Sequence, residues 1–97
     1  MKLNVYAIKD LEKGSYAAPF FVPEGTDEKE IIVNFKRLIE KGDSELSYFP
    51  DRFELHILAC FDAVDGSFLS LGGLVAKGED FARPEYLKAL HENNGEN

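Results

Sequence analysis

The sequence predicts an α+β domain: an antiparallel sheet of about four strands with one helix packed on a face, in the order strand, strand, helix, strand, strand. Three observations carry that expectation. Residues 53–71, FELHILACFDAVDGSFLSL, read as two extended arms joined at Asp65-Gly66. Residues 26–41 hold an apolar stripe at helical period, and residues 2–9 alternate as a strand.

The hairpin organises the rest. Strand side chains alternate, so Phe53, Leu55, Ile57, Ala59 and Phe61 are expected on one face. Glu54, His56, Leu58, Cys60 and Asp62 fall on the other, a mixed face that suits a central strand covered in part on both sides. Asp65-Gly66 supplies the positive φ angles of a tight turn. Phe68, Leu69 and Leu71 continue along the second arm, which Gly72-Gly73 is expected to break before Leu74–Ala76.

In the first strand, KLNVYAIK, Leu3, Val5 and Ala7 share one face and Asn4, Tyr6 and Ile8 the other. Asp10–Ser15 is a turn, with Gly14 at the positive-φ position. Tyr16–Val22 reads as a second strand, and Pro19, which has no N–H to donate, confines it to an edge or a bulge. Thr26 is placed to cap the helix, and Asp27, Glu28 and Glu30 suit its positive N-terminal end. Ile31, Ile32, Phe35, Leu38 and Ile39 form the stripe that must pack on the sheet, and Gly42 ends the helix. Asp43–Arg52 is expected to be a loop whose Tyr48 and Phe49 fold back on the core.

Ninety-seven residues suffice for one domain, here 1–80, followed by an acidic C-terminal tail over 81–97. Within the tail a short helix is expected at 84–92, then disorder. The net charge of −7 gives no general attraction to phosphate backbones or anionic membranes, so nucleic-acid binding needs a local basic patch. No apolar run approaches the roughly 20 residues of a membrane span, and the N-terminal residues lack the pattern of a signal peptide. A cytoplasmic protein is expected. Cys60 is the lone cysteine, which rules out an internal disulfide and a cysteine-based zinc site.

No residue set spells out a reaction. His56 and His91 have no ligand-spaced partner in sequence, Asp62 and Asp65 flank a turn, and no phosphate loop, HExxH, GxSxG or CxxC occurs. No enzyme, cofactor or metal is expected. Lys29, Lys36, Arg37 and Lys41 are interleaved with Glu30 and Glu40, as on a solvated helix surface with local ion pairs. The aromatics Tyr6, Tyr16, Phe20, Phe21, Tyr48 and Phe49 suit a strand core. Base stacking by exposed rings beside cations is the alternative, which composition favours less than the core.

Further residues carry a resemblance. The opening MKLNVYAIKD, Gly14 followed by Pro19-Phe20, Asn34-Phe35-Lys36, Tyr48-Phe49-Pro50-Asp51, and Phe61-Asp62 before Gly66 together resemble a small nonstructural protein of gokushovirus-like microviruses. These are single-stranded-DNA phages, and the similarity runs over about residues 1–78. It implies a nonstructural accessory protein in the cytoplasm of the bacterial host, binding single-stranded DNA in genome replication or packaging. Lys2, Lys9, Lys13 and Arg52 are the expected phosphate contacts, with Tyr6, taken as exposed, stacking on a base. The alternative is a non-catalytic adaptor for a phage or host protein, which suits the acidic tail (Glu79, Asp80, Glu85, Glu92 and Glu96 against Arg83 and Lys88). The two apolar faces of the first and third strands also favour a homodimer.

Overall fold

In the computed structural model, which describes residues 1–82, the expected antiparallel sheet forms around two long central strands. The elements are β1 (Lys2–Asp10), β2 (Ser15–Tyr16), β3 (Phe20–Pro23), α1 (Glu28–Glu40), α2 (Glu45–Tyr48), β4 (Phe53–Asp62) and β5 (Phe68–Lys77). Two 3-10 turns, Pro50–Arg52 and Gly78–Phe81, precede β4 and follow β5. The sheet runs β2-β1-β4-β5, and β3 shares the outer edge of β1 with β2. Five strands therefore replace the four expected, three of them before the helix. Pro19 marks the interruption: the chain pairs with β1 at Ser15–Tyr16, makes a last bond from the Ala17 N–H to the Ile8 carbonyl (2.9 Å), and rejoins the ladder at Phe20. The short helix and disorder expected in the C-terminal tail lie outside the described residues.

One helix covers one face. Ile31, Phe35 and Ile39 of α1 pack with Tyr6, Leu55 and Ala76 of three different strands to form the buried core. Asp27, rather than Thr26, caps α1: its Oδ1 accepts from the Lys29 N–H at 3.0 Å. Gly42, at φ 85°, ends the helix. The Ser47 hydroxyl completes that end, accepting from the Gly42 N–H (2.9 Å) and donating to the Leu38 carbonyl (2.8 Å). Leu38 itself is half-exposed and lines an open groove of about 350 Å³ between α1 and β3. The segment after α1 is more ordered than the expected loop, because Ser44 caps a single turn, α2. Tyr48 and Phe49 do not fold back; both stay exposed.

The hairpin is present, with two corrections. Its turn spans five residues, closed by the Gly66 N–H on the Asp62 carbonyl at 2.8 Å, and only Gly66 takes a positive φ, 74°. Gly72-Gly73 does not break the second arm: β5 is continuous, with Gly72 at φ 100° in an irregular stretch.

The larger correction concerns β4. Tyr6 pairs with Ile57, but Val5 pairs with Ala59, and Leu58 has no partner on β1 or β5. This β-bulge reverses the alternation of everything after it. Leu55 and Ile57 face α1. Ala59 and Phe61, expected on that same face, point the other way with Val5 and Leu3. Phe61 accordingly meets Phe21 edge to face, centroids 5.8 Å apart, on the side away from the helix. The Cys60 thiol, turned to the helix side, donates to Glu24 Oε2 at 3.5 Å. Loss of solvent and the Glu24 carboxylate both raise the Cys60 thiol above its ordinary value.

Candidate nucleic-acid interface

Among the described residues, no helix or strand covers the sheet face away from α1. Its floor is Val5 and Ala7, both buried. Around them stand Tyr16, Phe21 and Phe68, exposed by 45%, 48% and 60%. Phe61 lies between the last two, with its centroid 4.7 Å from that of Phe68. The register sets Tyr16, Lys9, Glu54 and Lys77 in one row across four strands at one end of this face. Lys9 Nζ lies 5.6 Å from the Tyr16 ring centroid, a cation–π distance.

His56 stands in the neighbouring row of the same face, paired with Ala7 and Leu74. Its Nε2 is 2.9 Å from Glu54 Oε1 and its Nδ1 3.5 Å from the Tyr16 hydroxyl. A carboxylate only accepts, so Nε2 is the donor in the contact with Glu54. The pairing of His56 with Glu54 was not anticipated, although residues two apart on a strand share a face. It sits on an open surface, away from the groove beside α1. Among the described residues no cluster of His, Cys, Asp or Glu is built to hold a metal, and no helix is long and apolar enough to cross a membrane.

Residues 3–81 match the family described as Phage ORF5 protein. The chain belongs to this family. No curated protein matches it, and neither does any solved structure. Family membership makes it a phage protein.

The five expected contact residues of this ORF5-family chain do not converge. Tyr6, taken as exposed, is 1% exposed in the core and stacks on Phe20 at 5.8 Å. Its strand is interior to the sheet, with β3 on one side and β4 on the other, and α1 above. Burial pushes its hydroxyl pKa up. Lys2 pairs with Asp62, on the side of α1. Lys13 lies in the turn between β1 and β2. Lys9 alone stands on the open face.

Arg52 is committed elsewhere. Its Nη2 donates to Asp10 Oδ2 at 2.9 Å and lies 3.5 Å from Glu45 Oε2. Its Nε is 3.1 Å from Glu12 Oε2, an ionic contact whose angle is too oblique for a hydrogen bond. The guanidinium also lies over the rings of Phe49 and Phe53. Asp10 is thereby the tie between the end of β1 and the start of β4. Desolvation works to raise its pKa. The Lys13 N–H, the Arg52 guanidinium and the Glu12 N–H outweigh that and hold it below the ordinary 3.8. A lowered folded pKa adds stability that is complete above the unfolded value and disappears as pH falls through the folded one. Urea midpoints of the wild type are therefore expected to drop as pH goes below 3.8. In Asp10→Asn the acid-induced drop is shallower, leaving the contribution of Asp65, whose pKa Ser67 also lowers.

Proposed function

We propose that this phage protein is a non-catalytic accessory protein that binds single-stranded DNA across its open sheet face, in the cytoplasm of the bacterial host. The resemblance to the nonstructural protein of gokushovirus-like microviruses supports a role in genome replication or packaging. The observation that carries the reading is the set of exposed rings Tyr16, Phe21 and Phe68 on the face that, among the described residues, no helix covers, with Lys9 beside Tyr16. Every base offers a face for stacking, so such a platform takes single strands with little sequence preference. Tyr16 takes the stacking role that Tyr6 cannot fill. Lys9 and Lys77 are the phosphate contacts, in place of the set with Lys2, Lys13 and Arg52.

With so few cations the affinity comes mainly from stacking. A labelled oligothymidylate is expected to bind with a shallow salt dependence, a log–log slope of about −1.4 for two phosphate contacts. Phe21→Ala and Phe68→Ala are each expected to weaken binding by about 1–3 kcal/mol, roughly 5- to 150-fold. Absence of binding at low salt and tens of micromolar protein contradicts the reading. A second reading, a protein–protein adaptor, is favoured by the net charge of −7 and by the uncharged centre of the same face. It predicts no oligonucleotide binding and direct capture of a purified phage replication or capsid protein, lost in Phe68→Ala.

A further inference from the structure

The outer edge of β5 differs from the opposite edge of the sheet. On that opposite edge, β2 has two residues, β3 has four, and Pro19 and Pro23 remove N–H donors. Short strands and prolines are the ordinary protections of a sheet edge. β5 has ten residues, and from Phe68 to Ala76 it carries no charge and no proline. Among the described residues it pairs with β4 alone, leaving its outward N–H and C=O groups unpaired. Its first half is regular, with Phe68, Leu69 and Ser70 set one-to-one against Phe61, Cys60 and Ala59. The side chains there are uncovered too: Leu69 is 66% exposed and Leu71 is 42% exposed.

We propose that this edge pairs antiparallel with β5 of a second copy, making one continuous sheet across a two-fold axis at Ser70. Charge singles out the second copy as occupant. A chain of net charge −7 meeting itself sets carboxylate against carboxylate on most of its surface. An uncharged strand is where that repulsion is least. With Ser70 opposite its own copy, Leu69 faces Leu71 of the other chain, so an exposed leucine covers an exposed leucine. The pairing is edge to edge and leaves the open face free, so it stands whether or not that face binds DNA.

The test is sedimentation of the full chain by analytical ultracentrifugation, with circular dichroism as the check on folding. The wild type is expected at twice 10.9 kDa at tens of micromolar. Leu69→Lys and Leu71→Lys, which place on the edge the charge that protected edges carry, are each expected to weaken the dimer by on the order of tenfold or more. A second measurement covers the case in which a lysine variant fails to fold. In a Cys60→Ser background, Ser70→Cys is expected to cross-link to a dimer on mild oxidation, while Val64→Cys at the exposed hairpin tip stays monomeric. A monomeric wild type overturns the proposal. A dimer that survives both folded lysine variants, or Ser70→Cys that cross-links no better than Val64→Cys, overturns it as well.

Discussion

Gly78→Ala is expected to destabilise the protein by about 3–5 kcal/mol, among the largest effects of any single substitution in it. Gly78 is buried where the 3-10 turn after β5 crosses the one before β4. A Cβ built there runs into the Pro50 carbonyl oxygen and meets that of Phe53 at 3.0 Å. Both neighbours are backbone, so no rotamer change relieves the clash. Either the turn or the start of β4 must move, and with β4 the pairing of Asp10 to Phe53. For a domain of this size the loss is a large part of the whole, roughly 5–10 kcal/mol. Urea denaturation measures it. Gly25→Ala is the control: nothing lies within 4 Å of its Cβ and its φ is not positive, so it is expected to be neutral or slightly stabilising.

Phe35→Ala is expected to cost about 3–5 kcal/mol by the same measurement. Its ring is 2% exposed and sits in the one layer that joins α1 to the sheet, among Tyr6, Ile31, Leu55 and Ala76. Phe81 meets it edge to face at 6.2 Å. Removing it deletes a large buried apolar surface and leaves a hole beneath the helix that Ile31 and Ile39, one turn away on either side, do not reach. Val33→Ala on the exposed side of the same helix is expected to change little, because alanine has the higher helix propensity.

The helix and hairpin were legible because each is written in local chemistry. Ile31, Phe35 and Ile39 recur every four residues with Asp27 before and Gly42 after, and Gly66 closes the turn between two apolar arms. The bulge in β4 was not legible. Ile57, Leu58 and Ala59 are all apolar, so no polar residue marks where the alternation reverses. The faces assigned to Ala59 and Phe61 were reversed for that reason alone. The division into β2 and β3 was half legible, since Pro19 announced an interruption without saying that both pieces would return to β1.

The candidate site was less legible still, because it depends on contacts far apart in sequence. Arg52 reads as a free cation until the fold brings Asp10 to it from 42 residues away. Tyr6 reads as a surface ring until α1 is laid over its strand. Tyr16 and Phe21 were among the aromatics singled out, but Phe61 and Phe68 were read only as positions along the two arms of the hairpin. The bulge turns Phe61 and Phe68 to the face where pairing with Lys9 and Val5 of β1 already sets Tyr16 and Phe21, and among the described residues the only long helix lies on the other side.

The claim on which the functional account rests is that this helix-free face is the binding surface. Aromatic carbon–proton NMR spectra, recorded while a short oligothymidylate is added, test it ring by ring. The account predicts that resonances of Tyr16, Phe21, Phe61 and Phe68 shift together and saturate, while those of Tyr6 and Phe35 stay in place. Shifts confined to Phe20 beside the α1 groove, or no shifts at any ring, contradict it.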